Sequence, residues 1–584
     1  MSGLFGVMGR ASRDELDEMG RRLRHRGGHA RWAEIDNGVY LGSVFGEAPC
    51  GGLHDGSVAD ISAAALGRGS SGGSVASGTL QALDLSGFPF ALARWDPSLQ
   101  RLSLTRDFMG VKPLYYCRLP GGGVAFASEY KAILALGEVP AEPDYSALQH
   151  LHIYKATPND GRTLLNGIRA VPPGVAVHFD RAGRVESVPF AEQLRLQISV
   201  VDEAEASNRL RQLLVREMER YLGDRTEVGM ALSGGIDSLA VAYLARHVRP
   251  NIRLVGFTTG AHERDRDIEV ARIAMDRLGG QHVAMPIAPD RLLADLRLTV
   301  WHLENPIGRS ETYHFFEVGR VAAAHGFEWV LSGMGADGIF AGMPRHKVLW
   351  LAEQAGMLRA DLLEFFEATQ TGRAATRRVA RFLSRMYFRG EVPIVPRVRN
   401  TASPRLSAPV PPGPEFLNRC LLAAEPEHTA YSLPRIERPL QASGVDYVSP
   451  FLSRSVVDFA FSLPGTLKIK HGVEKYILRR AMRGIVPEDL CRVPKGLMRF
   501  QSDERFSQVL HELSERYLSA DVVARRGLFD AEQVADIRAM CRRKNIHPEA
   551  AMRLWTLIVT EIWAEQYLDA RGARPPDTAL HIAA

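Results

Sequence analysis

The chain has 584 residues, 46% hydrophobic and 24% charged, the balance of an ordinary globular protein with room for two large domains or three smaller ones. A net charge of +5 over 64.5 kDa is mild and does not imply bulk nucleic-acid binding. Five scattered cysteines without a CxxC pair exclude a disulfide framework or cysteine zinc site; with no signal-like h-region in the first twenty residues and no apolar run of membrane length, they predict a cytoplasmic protein with neither nucleic acid nor membrane among its partners.

The chain opens MSGLFG. Loss of Met1 would leave Ser2 beside its own α-amino group, a nucleophile–base pair in outline. A thiol would serve far better, because part of it is thiolate near neutral pH. Ser2 is therefore either a nucleophile or the trace of one. The first ~190 residues read as strand-rich: GVYLGSVFG, FPFALARWD and RLSLTRD lie between Gly, Ser and Asp turns, and the Gly/Ser stretch 67–78 reads as a loop.

From about residue 200 the texture changes. SNRLRQLLVREMERYL places Leu210, Leu213, Leu214, Met218 and Leu222 at helical spacing. EVGMALS, IRLVGFT, HVAMPI and EWVLSG then read as buried strands, alternating with helices after Ser238, from about Asp267, and over YHFFEVGRVAAAHG. Such alternation predicts a parallel sheet covered by helices on both faces. The segment 373–399 is arginine-rich, either a basic wall for an extended or acidic peptide or a solvated helix face, and runs into the proline-rich SPRLSAPVPPGPEF, which cannot be regular helix.

The most informative stretch is MALSGGIDSLAVAYLA. A buried strand ends at Leu232, a Ser-Gly-Gly turn follows, and a helix begins near Asp237–Ser238, so backbone N–H groups and a helix N-terminus converge on a site suited to phosphate. Gly234 and Gly235 allow close approach of the backbone, Ser233 and Ser238 can add donors, and Asp237 can hold Mg²⁺. It is not the lysine P-loop, since no G-x-x-x-x-G-K-[ST] occurs.

SGGIDS resembles the pyrophosphate loop of N-type ATP pyrophosphatases, and its surroundings resemble the asparagine synthetase B family. The likeness extends in order over RHRGG (24–28), RDFMGVKPLYY (106–116), FASEYKAI (126–133), SGGIDS (233–238), LSGMGAD (331–337), GVEKYILRRAM (472–482) and RVPKG (492–496). It implies an α/β chain with an N-terminal Ntn-hydrolase-like α/β sandwich (1–195) and a C-terminal ATP-pyrophosphatase domain (200–584) whose parallel sheet is flanked by helices. It implies ATP and Mg²⁺ as cofactors: Ser233, Gly234, Gly235, Asp237 and Ser238 around the phosphates, Asp237 and Asp337 as metal carboxylates, and the backbone at Val255–Phe257 and Gly333 around the adenosine. Two lysines complete the catalytic set. Lys475 would reach the phosphates; without the motif it would read as a surface lysine on an amphipathic helix. Lys495 would stabilise the oxyanion of amide formation, carried in by a flap over GLMRFQSDERF.

The departures redirect the function. Working glutaminases of this family carry cysteine after Met, an arginine-bearing stretch and an Asn-Gly-Glu loop; here stand Ser2, LGSVFGEAPC and AALGRGSSGG. Ser2 then reads as a remnant and the N-terminal domain as a platform, with a serine N-terminal hydrolase as the alternative. In LSGMGAD, Met334 replaces the acidic residue of asparagine synthetases and the tyrosine of β-lactam synthetases, and Gly338 replaces a second acidic residue. The general base stays unassigned, with Tyr431 and Glu437 as weak candidates. The resemblance therefore implies an AMP- and pyrophosphate-forming amide synthetase of the branch that joins a substrate's own amine to its adenylated carboxylate. First comes a lasso-peptide macrolactam synthetase, whose partners would be a precursor peptide and its leader peptidase. Next come a β-lactam-type cyclase of a small-molecule substrate and an ammonia-dependent asparagine-type synthetase. A nucleotide-binding scaffold is the non-enzymatic alternative.

Overall fold

The computed structural model describes residues 2–46, 57–61, 87–154, 157–158, 160–199, 202–306, 312–354, 398, 413–427, 432–493, 504–541 and 548–575. The Gly/Ser loop 67–78, the arginine-rich segment apart from Val398, most of the proline-rich connection, Tyr431 and Lys495 lie outside them.

The first lobe is two stacked sheets, the α/β sandwich expected. One has the order β2 (His29–Asp36), β3 (Val39–Phe45), β1 (Ser2–Met8), β8 (Val124–Ala127), β7 (Tyr115–Arg118), β9 (Ile168–Ala170). The other runs β11 (Val185–Pro189), β10 (Val175–Asp180), β6 (Arg101–Arg106), β5 (Phe90–Asp96), β4 (Ser57–Ile61). Side chains alternate across a strand, and β1 is buried on both faces. Leu4 and Met8 enter the core between the sheets with Trp95, Leu102 and Phe126, while Phe5 and Val7 face a second core. That explains the unbroken apolar run after Ser2. Ser2 itself opens β1 opposite Phe45. The next helix, Arg13–Arg22, starts at a capping box: Ser12 Oγ accepts from the Glu15 N–H and the Glu15 carboxylate accepts from the Ser12 N–H.

The second core does not stop at the lobe. Val509, Leu513, Trp555 and Trp563, from the helices Glu504–Tyr517 and Pro548–Ala564, share it with Phe5, Val7 and Tyr115. The C-terminal helices thus extend the core that lies on the outer side of the first lobe's sheet, where the helix Arg13–Arg22 packs on β1.

The remaining lobe is built on a five-stranded parallel sheet of order β14 (Gln281–Pro286), β13 (Arg253–Gly260), β12 (Glu227–Ala231), β15 (Trp329–Leu331), β16 (Asp446–Val448). The helix Glu203–Leu222 precedes it, N-capped by Asp202, and buries Leu210, Leu213, Leu214, Met218 and Leu222 as the spacing predicts. The chain leaves β12 toward β13 and β14 on one side and returns to β15 and β16 on the other. The loops after β12 and β15 therefore part at a topological switch point, where open parallel sheets form their crevice.

A buried ionic cluster joins the lobes. Arg26, Glu129 and Lys131 come from the first; Glu304, Glu437 and Arg438 come from the second, and all six are at most 2% exposed. Glu129 accepts from Arg26 at 2.8 Å and from Arg438 at 3.2 Å, and Arg438 also reaches Glu304 at 2.9 Å. Arg26 further pairs with Glu437, and Lys131 with Glu129. Nearby, Asp107 accepts from the Val111 and Lys112 N–H groups, and this turn directs Lys112 to Asp446 at 3.0 Å. Among the described residues, no helix is long and apolar enough to cross a membrane, and Cys117, Cys420, Cys491 and Cys541 are free and buried.

Candidate active site

The loop after β12 runs from Leu232, whose N–H still pairs with the Phe257 carbonyl at 2.9 Å, into the helix Ile236–Val248. Gly235 is its N-cap and supplies no capping side chain. The first-turn N–H groups and the positive end of the helix dipole are thus presented at the crevice, the arrangement that receives phosphate.

The two loop serines work inward. Ser238 Oγ accepts the Ser233 N–H at 3.0 Å and donates to the Ser233 carbonyl at 2.8 Å; Ser233 Oγ lies 3.0 Å from it and accepts the Gly235 N–H at 3.3 Å. Their role in this geometry is to shape the loop. Gly234 is needed for packing: a Cβ there would lie 3.0 Å from Val270 Cβ and 3.1 Å from Asp267 Oδ1, on the neighbouring helix Arg266–Leu278. At Gly235 a Cβ would meet only Ser233 Oγ, at 3.5 Å.

The loop after β15 touches the first one. A Cβ on Gly333 would stand 2.7 Å from the Asp237 carbonyl carbon and 2.8 Å from the Ser238 nitrogen, so glycine is required by contact between the two loops. Gly335, at φ +99°, turns the chain into the short helix Ala336–Ile339 that carries Asp337. Asp237 and Asp337, a hundred residues apart, thereby converge.

Lys475 completes the group. It stands between the two-residue strand Val473–Glu474 and the helix Tyr476–Ala481, is 4% exposed, and its Nζ bonds Asp237 and lies 2.7 Å from Asp337 Oδ1. Burial works against the ammonium, but the two carboxylates outweigh it and raise the Lys475 pKa. Gly342, which the sequence reading missed, makes room for this contact: a Cβ there would overlap Lys475 Cε and Asp337 Oδ1. Gly342→Ala, at a backbone position alanine can adopt, is expected to lower Mg·ATP affinity by roughly tenfold with little change in the thermal midpoint, as read by calorimetric titration beside a melt.

The other expected site residues fall as follows. Val255 and Phe257 lie within β13, paired to β12 and β14 on its two sides, and their side chains are fully buried, the Phe257 ring against Phe327. The strand end that opens beside the loop is Thr258–Gly260, three residues beyond the Ala231–Phe257 pair at the end of the β12 ladder. Met334 donates its N–H to Ser332 Oγ and accepts from Ser449 Oγ at 2.6 Å; its side chain offers no proton acceptor. Glu437 does not suit the role of general base, because Arg26 and Arg438 hold it in the buried cluster at the lobe interface.

The donor set fits magnesium. Two carboxylates from separate loops converge beside the backbone N–H groups of a helix start, with the Lys475 ammonium in contact with both. Magnesium takes one or two protein carboxylates beside phosphate oxygens and water, and no group of three or more His, Cys, Asp or Glu able to hold a metal ion occurs among the described residues.

Comparison with known proteins gives two family matches: the asparagine synthase model over residues 209–565 and the glutamine amidotransferase domain model over 76–190. The chain is 28% identical over 506 residues to a putative glutamine-hydrolysing asparagine synthetase of Mycobacterium tuberculosis, covering 81% of this chain and 76% of that protein. It is 23% identical to glutamine-hydrolysing asparagine synthetase 1 of Bacillus subtilis, over 82% and 78% of the two chains. To the carboxyethyl-arginine beta-lactam-synthase of Streptomyces clavuligerus it is 25% identical, over 71% and 66%.

Proposed function

The chain belongs to the asparagine synthase family and is an ATP-dependent carbon–nitrogen ligase, and we propose that it closes a linear peptide into a macrolactam, adenylating a carboxylate of the substrate and joining it to the substrate's own amine. The observation that carries the ATP chemistry is the convergence of Asp237, Asp337 and Lys475 beside the SGGIDS loop. The first-turn N–H groups of the helix Ile236–Val248 bind the phosphates, Lys475 neutralises them, and the adenosine lies over the open end of β13. Asp237 and Asp337 would hold Mg²⁺, which would supply charge neutralisation on the phosphates. Attack of the substrate carboxylate on the α-phosphorus releases pyrophosphate and gives the acyl-adenylate; attack of the amine then forms the amide, releases AMP and sheds a proton. Lys495 stabilises the oxyanion of that second step.

The macrolactam reading is supported by Ser2 in place of the nucleophilic cysteine and by Met334 in place of a residue that could accept a proton. An intramolecular amine needs no glutamine hydrolysis, only a cavity that holds both ends of one molecule together. The natural partners would be a precursor peptide and its leader peptidase, in a peptide natural-product pathway. The similarity to a beta-lactam-synthase supports a small-molecule cyclase as the second reading. The test is pyrophosphate release with Mg·ATP and a linear precursor peptide, against aspartate with glutamine or ammonia, products followed by mass. Turnover with the peptide alone, with loss of one water, is expected, and Ser2→Ala should leave it unchanged. Turnover with aspartate and glutamine that Ser2→Ala abolishes would overturn the macrolactam reading.

A further inference from the structure

Lys475 stands on a left-handed backbone, φ 54° and ψ 34°. For a residue with a long side chain this conformation is strained and persists only where the surroundings over-determine it. Two charged side chains do so from opposite sides. Ahead of Lys475, Arg479 Nε donates to the Glu474 carbonyl at 3.0 Å, fixing the peptide plane that leads into the strained residue. Beyond it, the Tyr476 hydroxyl donates to Glu203 Oε1 at 2.8 Å, and the same carboxylate receives Arg480 at 2.9 Å and pairs with Lys470.

Arg479 is itself anchored. Its Nη1 donates to the Cys491 carbonyl, at the end of the helix Glu488–Cys491. That helix is tied by Asp489 to Arg277 at 2.9 Å, near the end of Arg266–Leu278, the helix that packs on Gly234. One guanidinium thus links the frame around the phosphate loop to the peptide before Lys475. Its planar fork spans two carbonyls from two elements, which a lysine ammonium, a compact point charge, cannot do in the same way.

We propose that Arg479 is a positioning residue for the nucleotide site: it holds the Glu474 carbonyl, and thereby sets the left-handed Lys475 between Asp237 and Asp337. Glu203 is its counterpart on the far side. The proposal rests on the assignment of Lys475 to the ATP site.

The experiment is a double-mutant cycle on Mg·ATP affinity, measured by calorimetric titration on the full chain. Arg479→Lys keeps the charge and is expected to weaken Mg·ATP binding by roughly tenfold or more. Because Arg479 acts through Lys475, the same substitution in a Lys475→Ala background should add almost nothing. Glu203→Gln, which loosens the other side, should show the same non-additivity and serves as the probe if Arg479→Lys does not fold. Additive losses in both cycles, or unchanged affinity in the folded Arg479→Lys protein, would overturn the positioning role while leaving the site intact. Failure of the wild-type protein to bind Mg·ATP would overturn the nucleotide assignment and this proposal with it.

Discussion

Lys475→Ala is expected to lower pyrophosphate release by at least ~100-fold, the loss typical of removing one preorganised charge from a phosphoryl or acyl transfer site. The ammonium is 4% exposed and set against both site carboxylates, so its removal takes from Asp237 and Asp337 the cation that each contacts. Lys475→Arg should not rescue, because a Cβ on Gly342 would already overlap Lys475 Cε and a guanidinium is bulkier than the ammonium. The measurement is the rate of pyrophosphate release for wild type, alanine and arginine variants at saturating substrate. An arginine variant near wild-type rate would show that only the charge matters; an alanine variant within threefold would remove Lys475 from the site.

Asp237 and Asp337 were legible because each follows a short apolar strand and a glycine turn, a local pattern that fixes which end of the sheet the carboxylate occupies. Two such turns flanking a switch point must meet, which is a statement about topology and needs no long-range detail. Lys475 was legible only through its motif. Nothing in its neighbourhood requires burial, and the glycine that admits it, Gly342, lies in a stretch with no periodicity of its own. Arg479 was within the same motif, four residues on, yet its partners are backbone carbonyls, which leave no trace in sequence.

The opposite failure occurred in the first lobe. RHRGG, RDFMGVKPLYY and FASEYKAI read as marks of family descent, while their charged residues turn out to build the lobe interface: Arg26, Glu129 and Lys131 in the cluster, Lys112 against Asp446. Their partners Glu304, Glu437 and Arg438 lie more than 170 residues further along the chain, as the pairing of Lys131 with Glu304 and of Arg26 with Glu437 shows. No periodicity links charges across such a span, so Glu437 read as a candidate base when it is an ion-pair partner. The core that the C-terminal helices share with the first lobe was hidden for a similar reason, since an apolar helix face does not say which core it will join.

Arg438→Met is accordingly expected to cost about 3–5 kcal/mol of stability, because it leaves carboxylates buried without their cation, whereas replacing a buried pair together by well-packed apolar residues is often neutral. Arg438 is 2% exposed and reaches both Glu129 and Glu304. Burial alone would lower its pKa, but those two carboxylates hold it well above the usual value. The double variant Arg438→Met/Glu304→Gln should recover part of the loss, since one stranded charge is gone. Acid should act on the same interface. Burial depresses His25, which sits 3.0 Å from Glu129, to about 4. Its unfolded form therefore binds the proton first, and stability falls as pH drops from about 6.5 toward 4. Glu129, held low by His25, Lys131 and Arg438 in spite of burial, works in the same direction at lower pH; Glu304, raised by burial, opposes it. Unfolding of so large a chain is not two-state, so the readout is urea midpoint and limited proteolysis across pH 4–7, with His25→Gln expected to flatten the acid limb. An Arg438→Met midpoint indistinguishable from wild type would mean that apolar packing alone joins the lobes, and that the charged residues of the first lobe's motifs do not hold the interface.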